Sequence, residues 1–590
     1  MANKTQSNLD RVTRSLMDKF AENNELSHDN DSALFEEFAT YCVVSKLMDN
    51  DFTYEDIDEM QIGNGNDGGI DSLGILINGE FIGNLTSLSD ILDHLTQKID
   101  VLVIFVQAKT SQTFDSVQIR NFGDGIVDVL KEAPHRRQNE SLREKWKMLN
   151  LLINNFSEFR TFRGRAYYVT NGQWTRDQDL MAAIDLAKTS VDAEGVFKEF
   201  EYLPVDATLL KNYYSNSRTK VSTQIDFPLK VTMPLVPEVD EGWSGFLLAS
   251  EFLKLITDEN GDLRRSLFYD NVRDFQGNTP ANKGIQETLE SDHPENMSIL
   301  NNGVTIIANK CDTLRDLVAL ENYQIVNGCQ TSYVLYNERE HIHENYRVYL
   351  PVKLIVTSSA EVSAAVTIGN NSQTEVKSEA LLALTEVPKE LERFFDTYTG
   401  KKHLYYERRS NQYNDNPNVE KTRIVDIRLS LRTYSSMFYG IPHVASRWIG
   451  KLYKDYSASV FDGTHASETF YTSAYALYKF NFYIRRKTFE RKYSKFKYFI
   501  LYMIRLYLTG DSDKNTPRKK IIEQCHQIDE VLWNDDQCLA LMDKMVSVIN
   551  EVASDNLTSN VLTDKKSFLI SLDERVRELR VDKANKNISK

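Results

Sequence analysis

Long apolar runs are missing from this chain. No segment approaches the ~20 apolar residues that a membrane-spanning helix requires, so no membrane anchor is expected. Arg11 and Arg14 are followed by neither an apolar stretch nor a small-residue cleavage site, and no secretory leader is expected. Cysteine is scarce. Cys42, Cys311, Cys329, Cys525 and Cys538 are scattered without a Cys-x-x-Cys pair. That argues against a structural zinc site and for a reducing, cytoplasmic setting. The ten histidines form no His-x-x-x-His, the closest pair being His341 and His343. Neither a Gly-x-Ser-x-Gly elbow nor a Gly-Lys-Ser/Thr phosphate loop occurs, which removes two common catalytic classes. Internal repeats and low-complexity stretches are also absent.

Positive charge is in deficit, with a net charge of −15 over 590 residues. Net charge governs solubility, however, while binding depends on local patches. One basic patch stands out: Arg485, Arg486, Lys487, Arg491, Lys492, Lys495 and Lys497, interleaved with Tyr483, Phe489, Tyr493, Phe496 and Tyr498. Such a mixture suits phosphate contact with base stacking. The spacing near three and four favours an aromatic core stripe with a solvated basic face, and that reading ranks first. Hydrophobic content of 41% and charged content of 26% are those of a globular protein, and the length predicts two to four domains.

The most informative signal is Asp67-Gly68-Gly69-Ile70-Asp71, followed later by the apolar run Val101–Val106 and then Gln107-Ala108-Lys109. The run reads as a buried strand. Alternation puts Gln107 and Lys109 on one face and Ala108 on the other. A lysine closing a buried strand is costly unless a negative charge answers it, and Asp71 is the nearest acid to do so. Carboxylate, amide oxygen and ammonium at one sheet edge suit a hydrolytic metal site. There the two oxygens would hold Mg²⁺ or Mn²⁺, and the lysine would position water beside a phosphodiester. The plain alternative is a diglycine turn with a snorkelling lysine.

At these residues the chain resembles the PD-(D/E)XK nuclease superfamily, especially Mrr-like members that use Gln for the second acid. Asp71, Gln107 and Lys109 match the last two elements of that pattern. The first element is an acid on a preceding helix. Residues 33–44 read as that helix, and Glu37 beside the Leu34–Phe38–Tyr41 stripe is the expected acid, with Glu36 further toward solvent. The gap from Asp71 to Gln107 is longer than a hairpin needs, and Ser87–Gln97 reads as an inserted helix. Further patterns predict helices over Phe114–Leu130, Ser141–Phe156 and Gln178–Val191, with strands at Arg165–Thr170 and Phe197–Leu203. Together they predict a mixed-sheet α/β sandwich over residues 1–215.

From about residue 226 the texture changes to Asn-, Gln- and Gly-rich motifs. They are Asn271–Gly277, Asn301-Asn302-Gly303-Val304-Thr305, Gln324–Thr331 and Gly369–Thr374, followed by Tyr405–Arg409. In order and spacing these motifs resemble the AIPR family, the abortive-infection phage-resistance proteins of bacteria. The resemblance covers about residues 226–500. It implies an α+β module over 226–400, a mainly helical region over 401–590 and a role in anti-phage defence, with nucleic acid as partner and DNA favoured over RNA. Asn-Gly at 302–303 and 327–328 offers positive-φ turns, the second opening a helix through Gln330 and Thr331. With Arg273 they would form a nucleotide or phosphate site (Arg273, Asn302, Gly303, Asn327, Gly328, Gln330, Thr331). A strand–turn–helix corner in which Asn and Gln tie down backbone groups is the equal alternative. A homo-oligomer is compatible with the chain, and the activating trigger is not legible in it.

Overall fold

The computed structural model describes residues 9–588 apart from 29, 49–51, 64, 96–97, 218–221, 258–260, 262, 269–279, 343–346, 371–381, 383–384, 409–411, 414–415, 417–418, 447–448, 511–515 and 554–565. Among the described residues no helix is long and apolar enough to cross a membrane.

The first module is a three-layer α/β/α sandwich. Its strands are β1 (Ser72–Ile77), β2 (Glu80–Phe81), β3 (Ile99–Lys109), β4 (Phe159–Thr170) and β5 (Glu199–Val205), in the order β2-β1-β3-β4-β5. β1 runs antiparallel to β3, while β3, β4 and β5 are parallel. Alternation along β3 feeds two cores. Val101, Val103 and Phe105 pack against α4 (Leu85–Asp93), α5 (Ser116–Leu130), α6 (Glu140–Asn154) and α7 (Gln178–Asp192). Leu102, Ile104, Val106 and Ala108 pack against α1 (Arg11–Asn23), α2 (Asp31–Met48), α3 (Tyr54–Met60) and α8 (Ala207–Asn216). Burial on both faces explains why β3 reads as an unbroken apolar run.

The second module is a six-stranded sheet in the order β6-β10-β9-β11-β8-β7. Its strands are β6 (Ser222–Asp226), β7 (Leu229–Thr232), β8 (Glu241–Leu248), β9 (Val304–Leu314), β10 (Leu317–Asn327) and β11 (Tyr349–Val356). One face carries α9 (Ala249–Ile256), α10 (Pro280–Glu290) and α12 (Cys329–Asn337). The short α11 (Met297–Leu300) leads into β9, and α13 (Ala360–Asn370) lies against β10. This module's hydrophobic core runs from Ile225 to Val356.

The remainder is helical, with its core starting at Leu391, inside the Glu386–Phe395 helix. The Ser467–Arg485 and Lys497–Leu508 helices run through its middle, and most of their residues are buried. A short parallel ladder, Tyr405–Glu407 beside Ile424–Asp426, is its only sheet among the described residues. Mixed α/β organisation at the N-terminus and a mainly helical C-terminal part therefore agree with the sequence-based expectation. All five cysteines are free thiols.

Candidate active site

The loop before β1 is held by its glycines. Gly68 and Gly69 adopt φ of +67° and +84°, conformations that side chains disfavour. A Cβ on Gly125 of α5 would lie 2.0 Å from the Gly68 carbonyl oxygen, so helix and loop touch backbone to backbone. The Asp67 carboxylate accepts from the Gly69 amide at 2.7 Å and closes the turn. The chain then enters β1 with Asp71 opposite the end of β3: its amide donates to the Val106 carbonyl at 2.9 Å.

The sequence-predicted trio does converge. Asp71 Oδ2 accepts from the Ala108 amide at 2.7 Å and stands 3.6 Å from Lys109 Nζ. Gln107 is 5% exposed and lies over the diglycine, with Nε2 only 3.2 Å from where a Gly69 Cβ would sit. Its Oε1 is buried without a hydrogen-bond partner among the described residues. A buried orphan acceptor costs about 1–3 kcal/mol. Burial pushes the Asp71 carboxyl up to about 7; Lys109 acts against that rise and Glu36 adds to it.

The helix acid differs from the expectation. Glu37 stands 3.1 Å from His28 Nε2. Glu36 is the acid that feels Lys109 and Asp67, and burial raises its carboxyl first and foremost. Thr40 fixes this placement. One turn beyond Glu36, its hydroxyl meets both the Glu36 carbonyl (2.9 Å) and the Ser72 hydroxyl (2.8 Å), tying α2 to the residue after Asp71. Glu36 thus replaces Glu37 in the cluster. Asp67, which sequence reasoning treated only as part of a turn, adds a third negative charge to it.

A divalent cation suits these donors. It would satisfy Gln107 Oε1 and offset the mutual repulsion of Asp71 and Glu36. No three described His, Cys, Asp or Glu residues are gathered tightly enough to hold a metal on their own. The ligands would therefore be Asp71, Gln107 and water, with Glu36 beyond them. Mg²⁺ tolerates so few protein oxygens because it keeps several waters.

The second group of predicted residues forms a corner of the middle module. Gly303 and Gly328 have φ of +87° and +103°, as the turns require. Polar side chains there bind one another: Asn282 Nδ2 donates to Gln330 Oε1 (2.7 Å), Asn301 to Thr331 Oγ1 (3.0 Å), and Asn327 to the Asn370 carbonyl (3.2 Å). Asn302 is exposed. Arg273 and the segments 271–277 and 371–374 lie outside the described residues. In the third region Tyr406 is fully buried and Arg408 Nε donates to Glu392 at 2.9 Å.

The aromatics of the basic patch are core. Tyr483, Phe489, Tyr493, Phe496 and Tyr498 are each at most 8% exposed. They leave no ring free for base stacking, and the core reading of that stretch prevails.

The model of the AIPR protein family matches residues 268–561, from within the second module through most of the helical region. The match supports the AIPR family, and the AIPR domain implies abortive-infection phage defence. It does not reach Asp71, Gln107 or Lys109. No curated protein and no solved structure matches the chain.

Proposed function

We propose that the protein is a phage-defence factor whose N-terminal module is a metal-dependent endonuclease, with DNA favoured over RNA, gated by the AIPR region. The observation that carries this reading is the meeting of Asp71, Gln107 and Lys109 at the β1–β3 edge, with a buried amide oxygen that no group among the described residues satisfies. Mg²⁺ or Mn²⁺, when bound, would supply Lewis-acid polarisation of the phosphodiester. Asp71 and Gln107 would hold the ion. The Ala108 amide keeps the Asp71 carboxylate aimed while it does so. Lys109, its side chain about one-third exposed, would orient a water through Nζ and offset charge on the phosphate in the transition state. Glu36 would accept a proton from that water or bind the ion through it.

One observation favours a rival, a non-catalytic binding module on a vestigial nuclease fold: no described trio of acids or histidines is gathered as a metal cluster. Incubating the full chain with plasmid DNA and with total RNA, each with Mg²⁺, Mn²⁺, Ca²⁺ or chelator, separates the two. Metal-dependent scission of one polymer supports the nuclease. Intact polymers under every condition support the rival.

A further inference from the structure

The first module and the helical region meet across a cleft of about 1230 Å³. Among the described residues no hydrophobic core crosses that junction: each apolar cluster is confined to its own module. Ion pairs cross it instead, and among the described residues they share one polarity. The acid always belongs to the first module and the base to the helical region. Glu25 meets Arg423 (3.2 Å) and Arg485 (2.9 Å), Glu80 meets Arg428 (3.2 Å), and Asp58 meets Arg491 (3.3 Å). Lys497 lies 2.5 Å from Glu55 and 3.8 Å from Glu59. Lys421 stands 4.3 Å above the Phe52 ring, again with the cation on the helical side. The half-buried Lys495 faces Glu140 and Glu144 of α6.

Helix α3 concentrates the acids. Thr53 and Asp56 form a capping box at its start, and Tyr54, Ile57 and Met60 anchor its apolar side in the first module's core. Glu55, Asp58 and Glu59 follow the one-turn spacing of a single helical face. They lie against the bases Arg491 and Lys497. A row of regularly spaced anions on a basic surface is what a phosphate backbone would also present.

We propose that the basic face of the helical region, centred on Arg491, Lys495 and Lys497, is a nucleic-acid surface that α3 covers as an internal polyanion. A strand binding there displaces the acids of α3 and moves the first module away as a body. The junction is suited to exchange. Partly exposed pairs such as Asp58–Arg491 and Glu80–Arg428 hold the junction only weakly, because water screens them. The more buried pairs about break even against their desolvation. Glu36 lines the same cleft, so opening it changes access to the margin of the Asp71 site. The inference rests on reading the AIPR region as the gate. Its test measures binding in chelator, so failure to cleave does not bear on it, and failure to bind leaves the cleavage assay untouched.

The test is fluorescence anisotropy of the full chain with a labelled single strand and with the matching duplex, over a series of salt concentrations. D58N/E59Q removes two partly exposed acids and should tighten binding of one or both probes at least about threefold at fixed salt. R491A/K495A should weaken binding and flatten the dependence of log K on log salt by about one for each phosphate that the variant no longer neutralises. In the wild-type chain, amides of residues 54–60 and 485–497 should exchange faster and slower, respectively, when the strand is added. The proposal is overturned if D58N/E59Q binds no tighter and wild-type exchange in both segments is unchanged. It is equally overturned if phosphatidylserine vesicles bind to this face and neither oligonucleotide does.

Discussion

Asp529 sits fully buried in the Arg518–Trp533 helix, with the Thr472 hydroxyl beside its carboxylate. Burial pushes its carboxyl from 3.8 up to about 8; Thr472 and Lys402 oppose the rise, and Glu468 adds to it. The sign follows from proton counting. Below pH 4 both folded and unfolded chains hold the proton, and Asp529 costs nothing. As pH rises toward about 8 the unfolded chain releases it while the folded chain keeps it, so stability falls; above that it levels off. At pH 7 the loss is about 4 kcal/mol, from about three units at ~1.4 kcal/mol each. Asp529→Asn removes this slope but buries amide donors that lack partners, a cost of about 1–3 kcal/mol. The variant should therefore be more stable than wild type by about 1–3 kcal/mol at pH 7 and level with it near pH 5. Unfolding of a multi-module chain is not two-state, so the assay is hydrogen exchange of the 518–533 amides. Protection should rise at least roughly fivefold at pH 7, the ~1 kcal/mol end of the range, and show no gain at pH 5. A variant less protected at both pH values would refute the reasoning, because the carboxyl would then have a partner that it needs.

Three shorter expectations accompany this one. Glu36→Gln should lower metal-dependent cleavage at least tenfold, while Glu37→Gln, which touches only the His28 contact, should leave it within about twofold; equal losses would remove Glu36 from the site. Mg²⁺ and Mn²⁺ should support cleavage and Ca²⁺ should not, since the larger ion binds oxygen ligands flexibly and positions water poorly; full activity in chelator would contradict the ligand set. Gly328→Ala forces a side chain into φ of +103° and places Cβ 2.7 Å from Val304 Cγ2. It should cost at least ~1–2 kcal/mol, read as weaker hydrogen-exchange protection of the 329–337 amides, and wild-type protection would show that the turn relaxes freely.

The strand carrying Gln107 and Lys109 was legible because a doubly buried strand writes itself as a continuous apolar run. Helices α5, α6 and α7 were legible from their apolar periodicity and begin and end within about two residues of the sequence-based limits. The helix acid was not. Helix α2 is buried through nearly all of Leu34–Ser45, so its pattern lacks the polar face that would tell Glu36 from Glu37. Helix α3 escaped notice because seven residues show too little periodicity, although its Thr53–Asp56 capping box was a usable local sign. The partners of the basic patch were out of reach for a different reason. Glu55 and Lys497 are separated by 442 residues, and charge complementarity at that distance leaves no local trace. The roles of Asn327, Gln330 and Thr331 were left even between ligand and architecture, and the hydrogen bonds at the corner give the architectural side its support.

The most direct test of the central claim is the Mg²⁺-dependent cleavage rate of wild type, Asp71→Asn and Lys109→Ala on the same DNA and RNA substrates. Each variant's fold is checked by circular dichroism. Neither substitution should unfold the module: Asp71→Asn removes a charge that burial already penalises, and the Lys109 side chain is one-third exposed at the strand end. The account predicts wild-type cleavage of at least one polymer and a loss of at least about a hundredfold in each variant, the magnitude of removing one transition-state contact. Cleavage retained at wild-type rate in both folded variants would contradict it.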